Sequence, residues 1–324
     1  MIDPLERWAE FGEKPDFAGL LTYGGAPTTQ DPAELSGFDV AIVGAPTDDL
    51  VSDRPGTRFG PRAIRAASCP HGPHLEAGID AMEVLRVVDF GDAPVLPADP
   101  ARTHAAIESV VGQVVDAGAL PIILGGDHSI AEPDIRAVAT RGGGPVGLIH
   151  FDTHTDTGQE VFGVELSHGS IMYRLVEQGH IDPSRYVQIG LRGYWPGEKE
   201  FGWQHERGIT SFFMHDVRDV GIRDVVSRAV SVVGPGPVFL SVDVDVLDPA
   251  YAPGTGTPEP GGMTSIDLLW ACREIASRVE LCGMDVVEVA PTMVGSADVT
   301  ALVAERIVRE TLTGVALRRR DCAR

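Results

Sequence analysis

The stretch Ile149-His150-Phe151-Asp152-Thr153-His154-Thr155-Asp156 sets two carboxylates and an imidazole at alternate positions behind an apolar run, Pro145 to Ile149. If that run continues as a buried strand, side chains at i, i+2 and i+4 share a face, and Asp152, His154 and Asp156 point the same way. Unpaired charges at the end of an apolar strand are costly to bury. A divalent cation is the simplest partner that makes the arrangement favourable. Two other stretches share this character. Gly125-Gly126-Asp127-His128-Ser129 follows the apolar run Leu120 to Leu124, and Ser241-Val242-Asp243-Val244-Asp245-Val246-Leu247-Asp248-Pro249 again spaces two carboxylates by two. Singly, a histidine after glycines is ordinarily a hydrogen-bonded loop residue, and an Asp-x-Asp pair can cap a helix or form half of a salt bridge. Together, four carboxylates and two imidazoles at three strand ends ask for cations.

The elements that must bring them together read as strands alternating with helices. Strands are expected at 38–44, 84–90, 120–124, 145–149, 186–190, 238–246 and 281–289. Helices are expected from about Pro61, then at 105–117, 130–140, 171–178, 222–232, 265–278 and 299–312. The strands are continuous apolar runs rather than alternating ones. That pattern predicts an α/β fold of three layers, with a central, mainly parallel sheet covered on both faces. Parallel strands deliver their carboxyl ends to one edge, where such folds place their ligands. Residues 1–37, polar and rich in proline and glycine, read as an N-terminal arm that packs on a neighbouring subunit. No repeat or linker interrupts 38–324, which reads as one catalytic domain.

Composition narrows the function. The net charge of −21 disfavours nucleic acid, whose phosphates call for Lys and Arg, and favours a small cationic partner. No run of about 18 apolar residues exists and no secretory leader is visible, so no membrane association and a cytoplasmic location are expected. Cys69, Cys272, Cys282 and Cys322 are scattered without a CxxC spacing, which is neither a disulfide framework nor a zinc knuckle. The ligand count suits two ions about 3.5–4 Å apart sharing carboxylates. Oxygen-rich ligation with one imidazole per ion suits Mn2+ better than zinc, with Ni2+, Co2+ and Fe2+ left open.

Gly-Gly-Asp-His-Ser, Asp-x-His-x-Asp, and Ser-x-Asp-x-Asp-x-x-Asp-Pro followed by Pro253-Gly254-Thr255-Gly256-Thr257-Pro258 resemble the ureohydrolases: arginase, agmatinase and the guanidino-acid hydrolases. The resemblance runs from about Phe38 to Leu312 and includes the segment Arg54 to Arg65. It implies the arginase-like fold, a trimer or hexamer, and two manganese ions. His128, Asp152, Asp156 and Asp243 would hold one ion; Asp152, His154, Asp243 and Asp245 would hold the other. A hydroxide between them would attack the guanidinium carbon, giving urea and an amine. His168, in Leu166-Ser167-His168-Gly169, matches the histidine that relays a proton to the leaving amine, and its ordinary pKa near 6.5 suits that role. Glu288 matches the glutamate that pairs with the guanidinium. Asp127 and Asp248 read as supports of the metal shell.

The far end of the substrate is less plainly written. Arginases place an asparagine where this chain has Thr157-Gly158-Gln159, so arginine is disfavoured. Agmatine, cleaved to putrescine, is the expected substrate, its amine tail welcomed by an acidic mouth that includes Glu160 and Glu165. Thr157, Gly158 and Glu165 are the candidate tail contacts. A guanidino acid (4-guanidinobutyrate or 3-guanidinopropionate) or another small guanidine is the alternative, and Arg54, Arg58 or Arg192 would meet a carboxylate. Ala290-Pro291-Thr292-Met293 departs from the common Ser-Pro-Pro-Tyr-Asp and reshapes the pocket wall. Rival classes are a single-zinc deacetylase-like enzyme and a non-catalytic subunit; the full six-ligand set argues against both.

Overall fold

Apolar β-branched runs form the strands, and in the computed structural model, which describes residues 1–12, 14–69, 72–195, 197–291 and 299–322, eight of them join one sheet. They are β1 (Val40–Ala45), β2 (Val87–Asp92), β3 (Leu120–Gly125), β4 (Val146–Phe151), β5 (Ile181–Leu191), β6 (Thr210–Phe213), β7 (Pro237–Asp243) and β8 (Glu280–Val287). The helices are α1 (Gly60–Ala67), α2 (Ala81–Val84), α3 (Pro100–Asp116), α4 (Ala131–Gly142), α5 (Ile171–Glu177), α6 (Glu198–Arg207), α7 (Met214–Val220), α8 (Ile222–Val233), α9 (Ser265–Arg278) and α10 (Val299–Cys322). The strand order is β2-β1-β3-β8-β7-β4-β5-β6, and every pairing is parallel. The sheet is thus wholly parallel rather than mainly so.

Alternation along each strand feeds two faces. Ile42, Ile122, Leu124, Ile149, Leu240 and Val242 pack with α8, α9 and α10 on one side. Ile123, Val146, Leu148 and Phe239 pack with α3, α4 and α5 on the other. Both faces are covered, which is why the strands read as continuous apolar runs. Topology then places the chemistry. On one side the chain lays β2 outside β1 and then β3 inside it, on the other it builds outward from β4 through β5 to β6, and β7 and β8 fill the gap last. Neighbours β3, β8, β7 and β4 therefore end side by side at the point where the winding reverses.

Several elements differ from expectation for local reasons. The last helix runs past Leu312 to Cys322 because Gly314 is a crossing point, not a stop: a Cβ there would lie 2.3 Å from the Arg273 carbonyl and 2.7 Å from Ala276 of α9. Edge strand β6 spans four half-buried residues, too few to show a period. Helices α6 and α7 carry mostly polar residues and lack an apolar stripe. Part of the expected arm is pinned to the sheet: Tyr23 is buried, its amide donates to Asp89 Oδ2 at 2.7 Å, and its hydroxyl donates to the Glu305 carbonyl at 3.3 Å. Among the described residues no helix is long and apolar enough to cross a membrane.

Candidate active site

Strand β3 ends in two glycines for a steric reason. A Cβ on Gly125 would meet Val287 Cγ1 at 2.7 Å, and one on Gly126 would meet the Ala45 carbonyl at 2.4 Å. This close approach brings His128 up against the ends of β8 and β4. Asp127 fixes the turn, accepting from Ser129 N at 2.9 Å and Leu50 N at 3.1 Å.

The two Asp-x-His and Asp-x-Asp segments are not strands, which corrects the period-two argument. Strand β4 stops at Phe151, and Asp156 sits at φ 51°, in the left-handed region. Strand β7 stops at Asp243, and Val244–Val246 forms a 3-10 turn. A different device produces the shared face. Asp152 Oδ1 accepts from His154 N at 2.6 Å, and Asp243 Oδ1 accepts from Asp245 N at 2.8 Å. Each aspartate folds its own chain into a turn that brings residue i+2 beside it. The two turns are stitched together where Thr153 N donates to Asp245 Oδ1 at 3.2 Å.

The six side chains converge. His128 Nδ1 lies 3.1 Å from Asp152, 3.0 Å from Asp156 and 3.4 Å from Asp243. His154 Nδ1 lies 3.0 Å from Asp245 and 3.4 Å from Asp152. All are buried except His154, which is a quarter exposed and opens the cluster to solvent. Ser241 Oγ donates to Asp285 Oδ1 at 2.7 Å, so it accepts from His128 Nε2 at 2.8 Å. That fixes the hydrogen on Nε2 and leaves the Nδ1 lone pair facing three carboxylates without a hydrogen-bond partner. A bare lone pair among carboxylates is destabilising unless a cation lies between them; without a metal ion that cation is a proton, since against burial the bonds to Asp152, Asp156 and Asp243 raise the His128 ring well above its ordinary pKa. The electrostatics agree. Burial, then the charge of Asp152, pushes Asp245 up to about 6. Burial and the charges of Asp245 and Asp152 push Asp243 well above the carboxylate range. Burial opposes ionisation of Asp152 too, yet bonds from His128, His150 and His154 hold it well below. The group therefore takes up positive charge however it can, and an oxygen-rich set with two imidazoles fits divalent ions.

Glu288 follows β8 at φ 63°, a strained conformation for a residue with a Cβ. Its Oε1 accepts from His128 N at 2.9 Å and lies 2.9 Å from His168 Nδ1, while Oε2 is buried without a partner. Gly256 leaves room beside that free oxygen; a Cβ there would lie 3.6 Å from it. His168 is held from both sides. The Ser52 amide donates to Nε2 at 3.0 Å, which suits a neutral ring, and the Ser52 hydroxyl at 2.8 Å can accept once the ring is charged. Burial works against that charge, but the Glu288 bond, with the charges of Glu288, Asp156 and Asp127, raises the ring to about 9.

The other expected residues are placed differently. Asp248 accepts from Ala250, Gly261 and Gly262 amides, so it supports the 248–262 loop rather than the cluster. The Thr157 hydroxyl faces inward, 2.6 Å from Gln204 Nε2 and 3.0 Å from Thr155 Oγ1. Gly158 N donates to the Gly169 carbonyl at 3.0 Å, and Glu165 is exposed on the loop. Arg192 spends its guanidinium on the carbonyls of Gly190, Asp245, Val246, Leu247 and Glu259. Arg58 pairs with Asp48 and Asp49. Arg54 stays half exposed beside Asp53, and its carbonyl would lie 2.9 Å from a Cβ on Gly256. Thr292 and Met293 lie outside the described residues. Sequence reading missed Ser52, His150, Tyr186, Ser241 and Asp285. His150 and Ser241 did carry a signal: each is a polar residue inside an apolar strand, two positions before a candidate ligand.

The arginase family matches residues 38–314. The chain is 42% identical over 305 residues to the guanidinopropionase of Pseudomonas aeruginosa, covering 93% of each. It is 39% identical over 280 residues to the guanidinobutyrase of the same organism, covering 86% of this chain and 87% of that protein. The crystal structure of a hypothetical agmatinase from Burkholderia thailandensis superposes with a TM-score of 0.85 at 36% identity, covering 95% of this chain and 94% of that one.

Proposed function

The chain belongs to the arginase family, a family of hydrolases acting on guanidino compounds, and we propose that it uses two manganese ions to cleave a linear guanidine to urea and an amine. The observation that carries this reading is His128 Nδ1, bare and within 3.4 Å of three carboxylates. His128, Asp152, Asp156 and Asp243 would hold one ion, and Asp152, His154, Asp243 and Asp245 the other. When bound, the pair supplies a water activated near neutral pH and a clamp for developing negative charge.

The chain's own groups do the rest. Glu288 Oε2 takes an N–H of the substrate guanidinium and, with Oε1 anchored on His128 N, orients its carbon toward the cluster. His168 sits at the same carboxylate and gives a proton to the amine nitrogen as its bond to carbon breaks. That proton makes the amine a leaving group, and urea remains. The positive φ of Glu288 and of Asp156 is held by neighbouring backbone: Glu288 N donates to the Gly126 carbonyl at 2.9 Å and its Oε1 accepts from His128 N, while the Asp156 carbonyl accepts from Met172 N at 3.0 Å.

For the tail, agmatine remains the first candidate, supported by the net charge of −21 and by Glu160 and Glu165 on the exposed loop. A guanidino acid is the second reading, supported by Arg54, the one arginine of the three considered whose guanidinium is not committed inside the fold. A urea-release screen of Mn2+-loaded protein against agmatine, 4-guanidinobutyrate, 3-guanidinopropionate, arginine and guanidine tests the reading. Urea from at least one of the first three is expected. Arginine as the best substrate would overturn the reading of Thr157-Gly158. A homo-oligomer, trimer or hexamer, follows from the family likeness, and sizing by light scattering checks it.

A further inference from the structure

His150 is fully buried in β4, and none of the roles above uses it. Its ring nitrogens have separate partners. Nε2 lies 2.9 Å from Asp152 Oδ2, and Nδ1 lies 2.9 Å from the Tyr186 hydroxyl. The direction of each bond follows from the chemistry of the ends. A carboxylate only accepts, so Nε2 carries the hydrogen. Tyr186 accepts from Gln188 Nε2 at 2.9 Å, which leaves its own hydrogen for His150 Nδ1. Gln188 Nε2 also donates to the Thr155 carbonyl at 2.8 Å, between His154 and Asp156. Parallel pairing sets this up, since His150 stands opposite Gln188 and Leu148 opposite Tyr186. One directed chain of bonds thus runs from β5 through His150 to Asp152 and grips the loop behind it.

We propose that His150, backed by Tyr186 and Gln188, is a positioning residue that fixes how Asp152 is shared between the two ions; the proposal rests on the two-ion reading above. Asp152 lies one residue past the end of β4, and its amide still donates to the Ile189 carbonyl of β5 at 3.1 Å, so its backbone is fixed and the orientation of its carboxylate is set by the groups that each oxygen meets. Oδ1 is turned to the His154 side, accepting from His154 N. Oδ2 is turned to the His128 side, and it is this oxygen that His150 grips. Losing the grip should therefore weaken the ion on the His128 side first. His150 is not itself a ligand in this arrangement. The ligand atoms of His128, His150 and Asp152 lie within 4.8 Å of one another, but one nitrogen of His150 is protonated and the other accepts from Tyr186.

The test is Mn2+ binding by calorimetry and metal analysis on whole protein carrying His150→Leu, His150→Gln or Tyr186→Phe, with thermal unfolding of each metal-free variant as a check on folding. Outer-sphere partners of ligands typically contribute ~10–100-fold in metal affinity. His150→Leu should weaken one Mn2+ by that factor and leave the second within a few-fold. His150→Gln, which restores an N–H near the Nε2 position, should recover most of the loss. The near-isosteric Tyr186→Phe should fall between them, with kcat restored by added Mn2+ and KM little changed. Wild-type affinity in both His150→Leu and Tyr186→Phe would overturn the proposal. So would His150→Gln as damaging as His150→Leu, together with the loss of a manganese–nitrogen coupling in pulsed electron paramagnetic resonance, because His150 would then be a ligand. Wild-type protein that fails to bind two ions would overturn the reading beneath it.

Discussion

At the carboxyl ends of β3, β8, β7 and β4, each candidate side chain is held by others. His128 sits between Ser241 and the carboxylates, Asp152 between His128, His150 and His154, and Glu288 between His128 and His168. A few residues on, the loop 159–165 is built the opposite way. Gln159, Glu160, Phe162, Val164 and Glu165 are exposed, and the loop is tied mainly through its backbone, by Val161 pairing with Val164 and by Ser170 Oγ donating to the Glu165 carbonyl. The difference separates two tasks. On the reading proposed above, activating water and holding a guanidinium would require charges fixed in a dry place, whereas choosing the tail would be left to side chains that solvent screens.

This contrast predicts a gradient of effects. Asp152→Ala and His128→Ala should reduce urea release by more than ~100-fold, beyond what an outer-sphere change does; full activity in either would break the interior half of the comparison. His168→Gln should lower kcat by ~10²–10⁴-fold with a smaller change in KM, as loss of a general acid does, read by steady-state urea release. In metal-free protein, the His168 imidazole should titrate near 9 by NMR, against about 6.5 in an unfolded chain. Because the folded pKa is the higher one, the linked stability is fully present below about pH 6.5 and is lost as pH rises through about 9. Glu288→Gln should move the midpoint toward the unfolded value; no movement would separate the histidine from its carboxylate. At the rim, Glu165→Gln should change KM for any accepted guanidine by less than about fivefold, the scale of an exposed charge. A larger loss with agmatine alone would show that the rim selects the tail after all.

The same contrast explains what the sequence made legible. Continuous apolar strand runs and amphipathic helices are strong signals, so the parallel sheet and its edge were readable from the sequence alone. So were all six converging residues, though for Asp152–Asp156 and Asp243–Asp245 the reason was wrong. Side-chain-to-backbone turns, not strand pleating, bring them together, and a spacing of two looks the same for both. The last helix, expected over 299–312, reads ten residues short because sequence does not show that Gly314 lies against α9. The bonds of His150 and Ser241 depend on strand neighbours far away in the chain, so only their unusual polarity was visible. Thr157, expected at the substrate, turns inward to Gln204 of α6, a helix without a readable period.

The most direct test of the central claim is metal content and product on one purified sample. Protein loaded with Mn2+ and freed of excess metal should retain two manganese ions per chain and release urea from a short linear guanidine, with the amine in equal amount. About one zinc per chain, amide cleavage and no urea from any guanidine would contradict it.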